Sequence, residues 1–491
     1  MKHLNYPVLL KVVGMLTLIE GVAMLPSIIT GLILEEWQAV SALFPACIVC
    51  VCIGAVTVTQ LKFKKINLHL HEGFLIACLS WVYCSVIAMF PYYFSGCGFP
   101  LVGSFFEAVA GFTTTGCTVL DINLMPQCLI LWRAICHWLG GMGILVLILS
   151  IFPLLGISGH SIVSAESPGP SFERLGVNHT DSGKYLYSIY FIFTLIEFVL
   201  LLLGPMDFLT ALTAAMSSIS TAGLIITDAN AAMFQDPYSR FVIMIFTLLS
   251  TISYILYYMI LKGKWREAVR NSEVWSFFSI IGGSTVLIAF FLRISGCYSS
   301  LWQAVKDSLC QVVSMISTSG YFVCDYMEWP SFTRTLLFLL LFVGGCSAST
   351  AGSLKVIRVV IMIKLVFRGI FKRVHPHAVR PITQEGRAIS AAMASSVTMH
   401  ILLFFGVIIM GTVLLSLNNL DMETTFTAVV GIFTNTGLAL GQSGTTGYFG
   451  MFNEFSQIIM TVLMIAGRLE MYAIILLFTR SFWQPDKAKG I

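Results

Sequence analysis

Four apolar runs in this chain are too short to cross a membrane. They cover about 102–115, 208–222, 302–319 and 422–436. A helix rises about 1.5 Å per residue and the hydrocarbon core of a bilayer is about 30 Å thick, so most such runs reach only part of the way. Each run ends in a stretch of one type. These are Phe112-Thr113-Thr114-Thr115-Gly116, Ile219-Ser220-Thr221-Ala222-Gly223, Ile316-Ser317-Thr318-Ser319-Gly320 and Phe433-Thr434-Asn435-Thr436-Gly437. A single Ser/Thr/Gly run is an ordinary loop. Four of them at intervals of roughly a hundred residues, in the same hydropathy setting, indicate four copies of one unit.

The setting is a long apolar run on either side. The flanking runs are about 71–95 and 127–156, 184–205 and 237–262, 274–296 and 332–368, and 389–417 and 453–480. Two further runs, 8–34 and 38–60, precede the first unit. With 57% apolar and 11% charged residues, against roughly 25% charged in a soluble domain, the chain reads as a polytopic membrane protein. The first run has no small-residue cleavage site followed by a soluble domain, so it is expected to stay as a span. Irregular backbone survives at membrane depth only where protein or a water-filled path surrounds it. The four short runs are therefore expected to be re-entrant half-helices whose ends meet or face water. The expected fold is all-α: two N-terminal spans plus four helix–pore-loop–helix repeats around a pseudo-four-fold pore, about ten spans in all.

The divisions follow. Residues 1–68 hold the two N-terminal spans, 69–156 repeat one, 157–183 a cytoplasmic linker and 184–270 repeat two. Residues 271–368 hold repeat three with a broken second helix, 369–388 a basic cytoplasmic loop, and 389–491 repeat four and the tail. Basic residues cluster on one side: Lys62, Lys64 and Lys65, Arg174 and Lys184, Lys262 to Arg270, Lys364 to Arg387, and Arg480 to Lys489. The opposite loops are poor in them. The positive-inside rule places both termini and the basic loops in the cytoplasm.

The thirteen cysteines are scattered, and Cys47, Cys50 and Cys52 lie in an apolar run without a second pair, as small buried residues would. His69 with His71, and His375 with His377, fall in basic loops and carry at most a weak case for a metal.

The repeated stretch suits a dehydrated cation. Backbone carbonyls supply oxygen ligands without net charge, Gly permits the backbone angles that turn them, and a half-helix presents its partly negative C-terminal end to the same axis. Small-residue helix packing is the competing account. Five residues beyond each Gly stand Asp121, Asp228 and Asp325, with Gln442 in the fourth copy. Three carboxylates around an outer mouth would concentrate cations, unless they are only ordinary loop polarity. Asn435 stands where the other three copies have Thr, so the fourth wall is expected to be the least regular.

Two more features lie in the spans. Run 332–368 is interrupted by Gly344, Gly345, Cys346, Ser347, Ala348, Ser349, Thr350, Ala351, Gly352 and Ser353. A helix broken at that depth needs a cavity or protein around it, and a segment so placed under a filter can block it. A Gly-rich packing face would read similarly. Arg468 lies in the last run, where a charge marks a pathway or a paired site, with Glu470 the near candidate for a pair. Lys355 and Arg358 form either an internal basic cluster or a snorkelling pair. Glu20 and Glu197 suggest nothing beyond helix pairing.

With these stretches, Trp132-Arg133, His137-Trp138-Leu139-Gly140-Gly141-Met142-Gly143, Ala165-Glu166-Ser167-Pro168-Gly169-Pro170, Gly344 to Gly352 and Gly467-Arg468-Leu469-Glu470, the chain resembles the Trk/Ktr/HKT superfamily of cation transporters, on its bacterial TrkH/TrkG branch. The resemblance spans nearly the whole chain. It implies potassium as substrate, since all four filter positions are Gly, and a Ser at the first goes with sodium. It implies that residues 344–353 are an intramembrane gating loop and that Arg468 stands below the filter as an electrostatic barrier. It implies a homodimer in the bacterial inner membrane, docked through 157–183 and 364–388 on a TrkA/KtrA-like cytosolic regulatory subunit. Where the family pattern has two glycines before the lysine, this chain has Gly352-Ser353-Leu354-Lys355.

No Gly-x-Gly-x-x-Gly unit or Walker motif occurs, so nucleotide is expected on the partner, with no cofactor in this chain and no nucleic-acid partner. No His-Glu-x-x-His, Gly-x-Ser-x-Gly or facing carboxylate pair speaks for an enzyme. Sodium- or proton-coupled symport is the alternative to a channel, since broken helices serve carriers too.

Overall fold

A computed structural model describes residues 6–61, 66–67, 70–143, 157–158, 179–228, 230–321, 324–378, 381–384, 387–444 and 447–479. The motif 165–170, the linker 159–178, the basic residues Lys62, Lys64, Lys65, Arg174, Arg380, Arg480, Lys487 and Lys489, and His69 lie outside the described residues. So does the second half of run 127–156.

The helices are α1 (Tyr6–Ala23), α2 (Leu25–Ile33), α3 (Trp37–Gln60), α4 (Leu70–Tyr93), α5 (Leu101–Phe112), α6 (Gln127–Gly141), α7 (His179–Leu202), α8 (Phe208–Ile219), α9 (Ala231–Gln235), α10 (Pro237–Thr251), α11 (Tyr254–Leu261), α12 (Trp265–Val269), α13 (Ser272–Ile294), α14 (Leu301–Ile316), α15 (Ser331–Leu340), α16 (Val356–Val374), α17 (Ala391–Leu415), α18 (Met422–Phe433), α19 (Glu454–Arg468) and α20 (Tyr472–Leu477). The short half-helices are α5, α8, α14 and α18, one per repeat. Each begins at Pro100, Asp207, Ser300 or Asp421, and the Asp207 and Asp421 carboxylates accept backbone N–H groups of the first turn. Each ends where the small residues begin, at Thr113, Ser220, Ser317 or Thr434.

Among the described residues, six helical segments are long and apolar enough to span a membrane: Tyr6–Ile33, Trp37–Gln60, Glu72–Tyr93, Gly183–Leu202, Ser272–Ile294 and Ala391–Asn418. They are the two N-terminal spans and the first helix of every repeat. The second helices of the repeats do not run as single long helices, and the break expected in repeat three is one of several. Helix α6 stops at Gly141. Helices α10 and α11 meet at an 85° bend after Thr251. Helices α15 and α16 are separated by 341–355, and α19 and α20 by Leu469-Glu470-Met471, where Glu470 and Met471 have φ of 53° and 65°. Only the break in repeat three was evident from composition. The other runs stay apolar through the break, so hydropathy alone cannot see it.

Helix α1 lies along α3 because small residues let the backbones close up: a β-carbon at Gly54 would fall 2.6 Å from the Leu18 nitrogen. Cys47 and Cys50 are buried at that contact and Cys52 is exposed, all three as free thiols. The half-helices are enclosed by the first and second helices, and the main core runs from α1 to α20 through Phe106, Trp132, Phe277, Phe433 and Met464. Repeat two has its own aromatic cluster, with Trp138 against Tyr190 at 5.3 Å and Tyr190 against Tyr254 at 6.1 Å. This enclosure brings the four half-helix ends to one place.

Candidate functional site

The four stretches have one backbone conformation. The third residue of each, Thr114, Thr221, Thr318 and Asn435, lies in the left-handed region at φ 56°, 53°, 56° and 56°. Gly116, Gly223, Gly320 and Gly437 follow at 73°, 84°, 63° and 71°. A left-handed non-Gly residue costs about 1–2 kcal/mol, so four at matched positions mean that the surroundings hold them. The hold is visible in the hydrogen bonds. The amides of Thr114, Thr221, Thr318 and Asn435 donate to Gly111, Ser218, Met315 and Ile432, and those of Thr115, Ala222, Ser319 and Thr436 to Ala110, Ser217, Ser314 and Gly431, all at 2.9–3.2 Å.

These stretches close a ring. A β-carbon at Gly116 would fall 1.7 Å from the Ala222 carbonyl oxygen, one at Gly223 2.7 Å from Ser319, one at Gly320 1.9 Å from Thr436, and one at Gly437 2.1 Å from Thr115. Each Gly thus abuts the carbonyl before the next repeat's Gly, in the order one, two, three, four and back to one. No charged side chain occurs among the sixteen residues of the walls. Asn435 does not distort the fourth wall, contrary to expectation. Its amide donates to Thr115 Oγ1 at 2.9 Å and to the Met464 carbonyl at 3.0 Å, tying wall four to wall one. The wall that differs is the second, where Ala222 has no hydroxyl.

Behind wall one lies a buried pair that sequence reasoning missed. Glu107 of α5 is ion-paired with Arg133 of α6, and Arg133 donates to the carbonyls of Gly116 and Cys117, each at 2.9 Å. Thr118 donates to the other Glu107 oxygen at 2.7 Å. The signal available in sequence was a carboxylate inside a twelve-residue apolar half-helix. At the matching place in wall three stands Gln311, fully buried, with no partner for its amide among the described residues.

The interrupted segment of repeat three lies directly against the ring. Gly352 N donates to Thr318 Oγ1 at 2.7 Å, and a β-carbon on Gly352 would fall 2.4 Å from the Thr434 carbonyl. The break in repeat two holds this segment. Cys346 N donates to Thr251 O at 3.0 Å, Thr350 Oγ1 to Ser250 O at 3.1 Å, and Tyr254 N to Ala348 O at 3.0 Å. Glu273 accepts from Ser347 N and Oγ at 2.7 and 2.9 Å. Within the segment, Gly344 and Leu354 pair through their backbones at 2.7 Å, while Gly345, Ser349 and Ala351 pack inside. Ser353 is left-handed at φ 59°, where Gly would fit without strain, and its hydroxyl donates to Leu341 O at 2.6 Å.

Arg468 joins the ring to the segment. One amino group donates to Thr114 Oγ1 at 3.2 Å and Thr350 O at 2.9 Å, the other to Gly140 O and Gly141 O at 2.6 and 2.7 Å. Its ion pair is not Glu470. That carboxylate pairs with Arg358, which also contacts His400 Nε2 at 3.2 Å. Lys355 donates to the Ala351 carbonyl, so the cluster is internal and does not snorkel.

Five residues beyond their ring glycines, Asp121 and Asp325 cap short turns by accepting Asn123 N and Met327 N. Asn123 also donates to Asp228 at 3.0 Å, linking repeats one and two. Gln442 donates to Asp421 at 2.9 Å, so the fourth repeat carries a carboxylate after all, supplied by the cap of its own half-helix. The Thr424 backbone amide and then its side chain, with Gln442 adding least, hold the Asp421 carboxyl below the ordinary aspartate range. His375 and His377 are exposed and gather no third ligand among the described residues. Glu20 is buried beside Cys84, and Glu197 accepts from Ser218 Oγ at 2.6 Å.

A ring of re-entrant half-helix ends inside a multi-pass bundle is the architecture of an ion-conducting membrane protein. The TrkH model, described as cation transport protein, matches residues 39–486. The chain is 30% identical to the Trk system potassium uptake protein TrkH of Escherichia coli K12, over 98% of this chain and all of that one. It is 29% identical to TrkH of Halomonas elongata over 97% and 99% of the two chains, and 29% to TrkG of Escherichia coli K12 over 96% and 97%. The crystal structure of the potassium transporter TrkH from Vibrio parahaemolyticus superposes with a TM-score of 0.86 over 98% of this chain and 100% of that one, at 26% identity. The chain belongs to the TrkH family of cation transport proteins, and its work is transport across a membrane rather than catalysis.

Proposed function

We propose that this chain takes up potassium across the bacterial inner membrane through the ring of four walls, Thr113–Gly116, Ser220–Gly223, Ser317–Gly320 and Thr434–Gly437, acting as its selectivity filter. The closed succession of Gly and neighbouring carbonyl carries the reading, because it gives a fixed circle of oxygens with no net charge. Residues 344–353 act as the gate, resting against walls three and four, and Arg468 adds a positive charge at the same level. Asp121, Asp228 and Asp325, with Gln442 holding Asp421, form the outer mouth. Both termini and the basic loops face the cytoplasm, where a TrkA/KtrA-like subunit carries the regulatory nucleotide, and two copies of the chain work as a homodimer. The relatives' names, Trk system potassium uptake proteins, support potassium as the ion.

The test is Gly116→Ser in purified vesicles, with potassium, rubidium and sodium flux measured. A β-carbon there meets the Ala222 oxygen at 1.7 Å, so the neighbouring wall must move. The potassium/sodium permeability ratio is expected to fall roughly tenfold, the effect of about 1.4 kcal/mol at one wall. An unchanged ratio would remove the filter assignment. Single-channel currents are expected, and flux strictly coupled to a sodium or proton gradient would replace the channel with a symporter.

A further inference from the structure

The four walls are not braced alike. In wall one the hydroxyls of Thr113 and Thr115 meet at 2.8 Å across the left-handed residue between them. Ser317 and Ser319 do the same at 2.8 Å, and Thr434 and Thr436 at 2.9 Å. Wall two cannot, since Ala222 stands in the matching place, yet Thr221 holds the same conformation. The Ala222 oxygen is also the one that abuts Gly116, so play in wall two would pass to wall one.

Wall two is gripped from outside instead. The amides of Thr221 and Ala222 donate to the carbonyls of Ser218 and Ser217, both at 3.0 Å. The side chains of these two serines, each 1% exposed, are held by other elements. His137 of α6 reaches Ser217 Oγ at 3.0 Å through Nδ1, and Ser218 Oγ donates to Glu197 of α7 at 2.6 Å. The residues matching Ser218 in the other walls are Gly111, Met315 and Ile432, so this hydroxyl belongs to wall two alone. Glu197 is fully buried in an apolar span, and one of its oxygens has no hydrogen-bond partner among the described residues. A carboxyl in such a place is costly, and its one hydrogen bond among the described residues goes to the wall that lacks the hydroxyl pair, where Thr221 Oγ1 bonds only to the Ser220 carbonyl.

We infer that Glu197 acting through Ser218, and His137 acting through Ser217, are positioning residues that replace the missing hydroxyl pair and fix the radius of wall two. The inference rests on the reading of the ring as the filter. It assigns to Glu197 a part in ion selection although it touches no ion.

The experiment compares Ser218→Ala, Glu197→Gln, Gly223→Ser and the double variant Ser218→Ala/Ala222→Ser in vesicles, reading the potassium/sodium permeability ratio, with yield and thermal midpoint of each purified protein as folding checks. Ser218→Ala is expected to lower the ratio up to about tenfold, the factor that one intramolecular hydrogen bond supplies. Ala222→Ser, which offers Ser220 a partner, is expected to restore most of it. Glu197→Gln retains an acceptor and should fall between. If Gly223→Ser lowers the ratio while Ser218→Ala leaves it unchanged, the brace is overturned and the filter stands. If Ser218→Ala lowers it and Ala222→Ser restores nothing, the substitution of one brace for the other is overturned. If neither Gly223→Ser nor Ser218→Ala moves the ratio, the filter reading itself fails.

Discussion

At the residue scale, Arg468 combines a charge with four hydrogen bonds to three separate parts of the protein. Removing it does two things. It takes a positive charge from beside Thr114, and a charge near a cation path contributes a few kcal/mol at an effective dielectric near 20. It also frees the Thr350 carbonyl, which loosens the interrupted segment. Both effects run the same way. Arg468→Ala is expected to raise basal potassium flux about tenfold or more, and unchanged or slower flux in vesicles would count against a barrier role. The residue was legible in the sequence because a lone Arg in an apolar run is conspicuous. Its pairing was not: Glu470 is two residues away in sequence but pairs with Arg358, because Glu470 and Met471 are left-handed and turn the chain at that point.

The interrupted second helices define the element scale. In repeat three, segment 341–355 is held by the carbonyls that the break in repeat two exposes, and by Glu273 from the start of α13. The neighbouring Ser272 accepts from Gln384, on the short hairpin of the basic loop, at 2.6 Å. This gives the segment a direct mechanical link to the side where a regulatory subunit would dock. Glu273→Ala leaves the Ser347 amide unsatisfied, at a cost of about 1–3 kcal/mol to the arrangement in which it is bonded. The open fraction is expected to rise roughly tenfold, and patch recordings showing the wild-type open probability would sink the link. Ser353→Gly tests the same element from the other side. It relieves a left-handed residue but removes the bond to Leu341, so faster transitions in both directions are expected, and unaltered dwell times would speak against strain at this position.

For the molecule as a whole, the proposed outer mouth requires its carboxylates to act together. Asp121, Asp228, Asp325 and Asp421 come from four repeats, and the side chains of Asn123 and Gln442 bind two of them. Asn is the proper replacement, because it caps a turn or helix as Asp does and so isolates the charge. The quadruple Asp→Asn variant is expected to raise the apparent KM for potassium several-fold at low salt, with the effect shrinking near 0.15 M, where the screening length is about 8 Å. Equal KM values at low salt would assign these residues to turn capping alone. The pH dependence has a defined sign. Asp421 is held below the usual aspartate range, so its contribution is present above the unfolded pKa and is lost as pH falls through the depressed one.

The sequence by itself determined the four repeats, the re-entrant half-helices, the positions of the four Gly and the site of the interrupted helix. These rest on local composition: an apolar run of a dozen or so residues cannot span a bilayer, and a Gly after small polar residues marks a turn wherever it occurs. Only the tertiary structure decided which carbonyl each Gly meets, that Asn435 ties two walls together and leaves its own regular, and that the serines behind wall two meet Glu197 and His137. It also decided where the second helices of repeats two and four break. Those outcomes depend on contacts between repeats about a hundred residues apart. Nothing in a single stretch records them, because an apolar residue at a break and one inside a helix look the same until the neighbouring chain supplies the carbonyls and hydroxyls that hold the bend.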